Sequence, residues 1–205
     1  SQAGAGMLAG AMIPQLEGSN FTILNVTVSN ATVRTNALMA GGLIGDCGST
    51  LKAKPASITV KNCNANGVTV KASSIFGGFI GFGYADAITI DGCTASGITL
   101  AATGPQNNGQ NNGVYYINNT NSQFTLYGVG GIIGATHQAK PTIRNITLSG
   151  LNLNIPSRTK LNNNRFGFGG IVGSLGVNGE GSLTNISMEG VNELYADGRD
   201  NNPPV

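Results

Sequence analysis

One short element recurs along the chain and limits what it can fold into: a Gly pair, two apolar residues and a closing Gly. It reads GGLIG at Gly41 to Gly45, GGFIG at Gly77 to Gly81, GGIIG at Gly130 to Gly134 and GGIVG at Gly169 to Gly173, with a degenerate GMLAG at Gly6 to Gly10. Each full element follows a block of strand-like character. The blocks are TILNVTVSNATV from Thr22, ITVKNCNANGVTV from Ile58, ITIDGCTASGITL from Ile88 and TIRNITLSGLNL from Thr142; a fifth, SLTNISMEGVNEL from Ser182, has no glycine element after it. Copies of one supersecondary unit at such intervals cannot each bury an apolar face alone, so they must stack on one another.

Aligned copy on copy, the blocks form columns of like chemistry. Apolar columns read Ile23, Val60, Ile90, Ile143, Leu183; Val26, Cys63, Cys93, Ile146, Ile186; Val28, Ala65, Ala95, Leu148, Met188; and Ala31, Val68, Ile98, Leu151, Val191. Polar columns alternate with them: Thr22, Thr59, Thr89, Thr142, Ser182, and Thr32, Thr69, Thr99, Asn152, Asn192. A period of two is the strand signature. The pattern predicts an all-β chain coiled as a right-handed parallel β-helix, or β-solenoid, of about five turns with about three strands per turn. At ~4.8 Å per turn the rod is only ~24 Å long. The expected domain is residues 1–194, with a polar insertion at 101–127 and an irregular polar tail at 195–205. The Gly pairs are expected to serve positive φ or close backbone approach. The column Asn25, Asn62, Asn145, Asn185, with Gly92 in the third copy, is expected to hydrogen-bond turn backbone through its amides.

Composition narrows the partners. Charged residues are 10% of the chain, and eleven Lys/Arg against nine Asp/Glu leave a net charge of +2 with no basic run. That charge pattern offers nothing to nucleic acid or to an anionic membrane. No apolar stretch approaches the ~18 residues of a membrane span, so a soluble chain without membrane insertion is expected. Gly is 32 of 205 residues, about twice the ordinary ~7%, and there is no Trp, so polarity rests on Asn, Ser, Thr and backbone. Three cysteines, Cys47, Cys63 and Cys93, show no CxxC spacing. Cys63 and Cys93 share a column at a spacing a disulfide accepts, although an apolar column equally suits free thiols.

The GGLIG, GGFIG, GGIIG and GGIVG elements, each behind a TI/TV-type strand, resemble the GLUG-type repeats of bacterial surface and secreted proteins. The stretch Phe21 to Asn25 with a later GG-apolar-apolar is also similar to the FxxN and GGAI repeats of chlamydial autotransported surface proteins. Both resemblances imply an extracellular or cell-surface location and adhesion or display. Neither supplies a catalytic motif.

Residues that could carry chemistry are few. Parallel β-helices with lyase or hydrolase activity need clustered carboxylates. Here Asp46 and Asp86 follow glycine elements and stand on adjacent copies, with Asp91 near; Glu180, Glu189, Glu193, Asp197 and Asp200 gather toward the end. His137, in ATHQAK, has no second His or Cys beside it and reads as a surface-loop residue. No catalytic residue, metal site or cofactor is therefore assigned. Sequons begin at Asn20, Asn25, Asn30, Asn118, Asn145 and Asn185, as an Asn- and Thr-rich repeat produces in any case. The threonine columns raise a third possibility, a face that orders water as ice. The binding candidates are Tyr115, Tyr116, Asn118 and Asn119 in the insertion, where ring stacking and amide hydrogen bonds suit a protein or a carbohydrate. A second excursion, Pro156 to Phe166, carries Arg158, Lys160 and Arg165. The chain starts with a glycine element lacking its strand blocks and stops on strand blocks lacking a glycine element, complementary halves of a turn. This makes it a slice of a longer array or a subunit that self-associates through open ends. The expected role is a non-catalytic adhesive or structural module, with a carbohydrate-active β-helix as the alternative.

Overall fold

The computed structural model of the chain describes residues 4–36, 39–48, 54–103, 113–114, 126–155, 157–158, 165–177, 180–190 and 192–196. Among them the regular structure is all strand, with no helix, and every strand pair runs parallel. Three sheets carry the repeats and a two-stranded ribbon lies beside them. Each copy lies one strand further along each sheet than the copy before it. One five-stranded sheet holds Thr32–Arg34, Thr69–Ala72, Thr99–Ala102, Asn152–Ile155 and Glu193–Ala196 in order. A second holds the glycine-element strands Gly4–Gly6, Met39–Gly41, Ile75–Gly77, Leu126–Gly130 and Arg165–Gly169. The third, twelve-stranded, is continuous because Ile133–Ser149 runs through three strand positions without a break.

The columns written from sequence are the registers of these sheets. Ile23 pairs with Val60, Val60 with Ile90, Ile90 with Ile143 and Ile143 with Leu183. Thr22, Thr59, Thr89, Thr142 and Ser182 pair in the same way on the opposite face. Ile23, Val60, Ile90 and Ile143 are buried, and burying an aliphatic side chain of this size contributes about 1.5–3 kcal/mol. One column slips. Thr99 pairs with Asn152 as expected, but Asn152 then pairs with Glu193, not Asn192. The fifth copy holds one extra residue at its bend, and the Asn192 side chain accepts the Leu151 N–H at 3.0 Å in place of a backbone carbonyl.

The strands are shorter and more numerous than three to a copy. In the first full copy they are Asn20–Leu24, Thr27–Ser29, Thr32–Arg34, Met39–Gly41 and Ile44–Cys47. Two left-handed residues in each copy mark the bends; in the first three copies both fall between strands, whereas Ile133–Ser149 and Ser182–Glu189 continue through Asn145 and Asn185. Asn25, Asn62, Gly92, Asn145 and Asn185 have φ between 52° and 63°, and Asn30, Gly67, Gly97, Gly150 and Gly190 between 50° and 68°. Asn and Gly are the residues that adopt this conformation at least cost, which is why the two columns contain nothing else.

The Gly pairs serve the other purpose foreseen for them. Gly41, Gly42, Gly77 and Gly78 are absent from the left-handed residues. They lie where backbone meets backbone: a Cβ on Gly77 would fall on the Ile80 carbonyl oxygen, 2.6 Å from Gly134 N and 2.9 Å from Ile132 O. Gly81 and Gly134 face the same crowding from their own side. The two strands of each glycine element are thus pressed together with no room for a side chain between them. The main core, which includes Leu43, Phe79, Ile132, Val70, Leu100 and Leu153, packs against the inner faces of the other strands.

Candidate functional site

The scaffold brings the two excursions of the chain to one corner. Thr99–Ala102 pairs with Asn152–Ile155, and Leu126–Gly130 pairs with Arg165–Gly169. The segments between them, 103–125 and 156–164, therefore leave from neighbouring strands of one sheet and return to neighbouring strands of another. The described pieces of both segments meet: Gly113 pairs with Ser157 and Val114 with Arg158, in a parallel ribbon outside the three large sheets. The departure point is anchored. The Thr103 N–H donates to Ala72 O at 2.7 Å, and its hydroxyl donates to Thr35 O at 3.0 Å. Tyr115, Tyr116, Asn118 and Asn119, the binding candidates, lie outside the described residues, as do Lys160 and the tail acids Asp197 and Asp200.

The carboxylates do not converge. Asp46 was expected beside Asp86, but its register partners are Ala11 and Phe82, while Asp86 lies alongside Pro55, whose carbonyl accepts its N–H at 3.1 Å. Four residues separate Phe82 from Asp86, and that displacement defeats a pairing argued from position after the glycine element. Their environments differ as well. The Asp46 side chain is buried, neither of its oxygens is hydrogen-bonded, and burial pushes its carboxyl up to about 7. Asp86 is exposed and salt-bridged to Lys54 at 2.7 Å. Among the described residues no three His, Cys, Asp or Glu side chains come close enough to hold a metal ion.

His137 is a strand residue, not a loop residue: it lies in Ile133–Ser149 in register with Tyr84. The two rings stack with centroids 5.8 Å apart. Lys54 Nζ stands 5.2 Å from the centre of the Tyr84 ring and donates to Gln138 O at 3.1 Å. Burial, and then the Lys54 charge, hold the His137 imidazole below its ordinary range. Lysine, tyrosine, histidine and aspartate from three copies thus stand together, through an ion pair, a ring stack and a cation over a ring. Sequence reasoning missed this cluster because Lys54 and His137 lie 30 and 53 residues from Tyr84 and only the register unites them.

A second feature is a ladder on the outer face. Asn185 Nδ2 donates to Asn145 Oδ1 at 2.7 Å, and Asn145 Nδ2 donates to Asp91 Oδ1 at 2.8 Å. Arg144 donates to the other Asp91 oxygen at 2.9 Å. In the third copy, where Gly92 interrupts the Asn column, the neighbouring Asp91 carboxylate takes the place of the missing amide. The amides therefore bond between copies and not to their own turns. The Asn145 and Arg144 hydrogen bonds hold the Asp91 carboxyl below its usual range.

Cys47, Cys63 and Cys93 are all free and buried. The Cys63 N–H donates to Cys93 Sγ at 3.4 Å, and each of these two thiols donates to a carbonyl of its own strand. Burial pushes the Cys93 thiol up to about 11, and burial together with the Asp46 charge raises that of Cys47. Thiols in this state are poor nucleophiles. Comparison with protein-family models, with curated proteins and with solved structures finds no match to this chain.

Proposed function

We propose that the chain is a right-handed parallel β-solenoid of about five turns, of the GLUG-repeat kind, that acts as a secreted or surface-displayed adhesive module without catalytic activity. The observation that carries this reading is the shared corner. A stack of parallel strands held by apolar columns and backbone-to-backbone glycine contacts is a rigid support, and its two longest excursions leave it from adjacent strands. Recognition residues are placed preferentially on loops borne by such supports. Tyr115, Tyr116, Asn118 and Asn119 supply the contact, to a protein or a glycan, and Arg158 is the basic residue of the described ribbon.

Self-association belongs to the same reading. Leu183, Met188 and Leu194, which continue buried columns, are 51%, 48% and 50% exposed, a face suited to strands of a second copy. Sedimentation velocity over a concentration series tests that part.

The main test immobilises the chain on glycan arrays and on plates coated with extracellular-matrix proteins. Binding that falls at least tenfold in a Tyr115→Ala/Tyr116→Ala variant, with an unchanged circular dichroism spectrum, is the expected result. Binding that survives replacement of residues 104–125 by a short Gly-Ser segment overturns the site, and absence of binding on both surfaces overturns the function. The in-register hydroxyls of Thr22, Thr59, Thr89, Thr142 and Ser182 favour a second reading, an ice-ordering face. Against it, the next outward column runs Leu24, Lys61, Asp91, Arg144, and a measurement of thermal hysteresis decides.

A further inference from the structure

We propose that Asp46 is a pH-sensitive latch on the first glycine element: its carboxyl stays neutral while the Gly4–Met12 segment is docked, and its ionisation releases that segment. Asp46 occupies a column whose other members are Ala11, Phe82, Ala135 and Ser174. It is 1% exposed and both of its oxygens lack a hydrogen-bond partner. A Cβ on Gly4 would stand 3.0 Å from the Asp46 Cβ and 2.9 Å from its N, so the segment lies directly on the residue. The strands packed on Ile44–Cys47 are Gly4–Gly6, Ala9–Met12, Met39–Gly41 and Ile80–Tyr84, and they bring no Lys, Arg or His to face it. Their one titratable residue is Tyr84, two positions beyond Phe82 and stacked on His137; on its own strand the only other is Cys47. Among the described residues this carboxylate has neither a cation nor a hydrogen-bond donor, so ionisation favours whichever state lets water reach it.

The Gly4–Met12 side is the one that gives way. Among the described strands, Gly4–Gly6 and Ala9–Met12 are each bonded to one neighbour, Met39–Gly41 and Ile44–Cys47 respectively. Met7 and Leu8 between them are each 49% exposed, whereas Phe82 on the other flank is buried. Release bares a new sheet edge along Ile44–Cys47, able to accept another strand.

The direction with pH follows from linkage. The docked state keeps the proton up to about pH 7 and the released state only to about 3.8. Docking is therefore strongest in acid, weakens as pH rises between those values, and changes no further above the upper one. The opening equilibrium rises about tenfold per pH unit from pH 5 toward 7 and then levels off. Hydrogen exchange, corrected for intrinsic rates, reads this directly. The Leu8 and Ala9 amides both donate to Leu43 O, and the Gly48 amide donates to Met12 O, so these three report on the latch. Phe79, whose amide donates to Ile132 O, is the interior control.

The expected result is a pH-dependent loss of protection at Leu8, Ala9 and Gly48 that is absent at Phe79. That slope should disappear in Asp46→Ala, which matches its column mates Ala11 and Ala135, and in Asp46→Asn. Equal opening at pH 5 and 7 in the unaltered chain overturns the proposal. So does a slope that persists in either folded variant, or one that appears equally at Phe79.

Discussion

Substituting Gly77 by Ala tests whether the glycine elements exist for close backbone approach. Gly77 is not left-handed, so alanine brings no torsional penalty there, only a methyl group where the Ile80 carbonyl already lies. The other two neighbours, Gly134 N at 2.6 Å and Ile132 O at 2.9 Å from that methyl, are also backbone. Ile132 O accepts hydrogen bonds from Phe79 N at 2.9 Å and Ile80 N at 3.1 Å, so making room displaces a carbonyl that two bonds share. Overpacking costs ~1–3 kcal/mol and each of the two weakened hydrogen bonds ~0.5–1.5 kcal/mol, which gives a loss of about 2–6 kcal/mol. The comparison is Gly97→Ala. Gly97 has φ +60° but its nearest neighbours, Gly67 N and Cα, are at 3.6 Å, so only the left-handed cost of ~1–2 kcal/mol applies. Urea unfolding followed by circular dichroism measures both. For a chain of this length each kcal/mol shifts Tm by ~2–4 °C, so Gly77→Ala should lower it by roughly 4–24 °C. A loss for Gly77→Ala no larger than that for Gly97→Ala refutes the reasoning.

Two further outcomes concern the ladder. Asn145→Gly keeps the φ of 55° accessible and loses only the amide bonds to Asp91 and Asn185, whereas Asn145→Ala loses the same bonds and adds a left-handed Cβ; thermal unfolding should rank Ala below Gly by about 1–2 kcal/mol. Asp91 should titrate below the ordinary carboxylate range by carbon-detected NMR, so its contribution is complete near neutrality and is lost only as pH falls through that lowered value. Asn145→Ala should move that titration upward through loss of the amide bond, and Arg144→Gln should also move it upward through loss of the guanidinium charge.

What the sequence carried legibly was everything that depends on alternation. A period of two assigns each residue of a strand to one face, so aligning five blocks gives the inter-strand partners without further information. Ile23, Val60, Ile90, Ile143 and Leu183 fall into one row for that reason. The Asn192 slip shows the limit: one extra residue at a bend shifts every later partner, and no alternation marks it in so short a strand. The left-handed columns were visible as Asn and Gly, but their effect, cutting the first three blocks into several strands while the fourth and fifth run on through Asn145 and Asn185, lies in backbone torsion and not in side-chain pattern. The glycine pairs left two explanations open, because positive φ and close approach select the same residue and only the presence or absence of a neighbouring backbone separates them.

The candidate site divides along the same line. Register arguments locate where the excursions depart, because they concern Ala102, Ile155, Leu126 and Arg165, which belong to paired strands. They do not extend along the excursions, where no repeated partner disciplines the chain. Asp46 shows the converse. It follows GGLIG much as a turn residue would, and a carboxylate there reads as solvent-facing. The reading fails because Ala11 and Phe82 close on it from the two neighbouring strands, and a column that places an acid among Ala, Phe and Ser has no cation to offer. In a stack of near-identical copies, the informative residue is thus the one that departs from its column. Gly92 in the Asn ladder is compensated by Asp91, whereas no described residue compensates Asp46. A repeat keeps such an exception without loss of fold where one neighbouring strand can move away, and Ala9–Met12, which pairs with no described strand but Ile44–Cys47, is that strand.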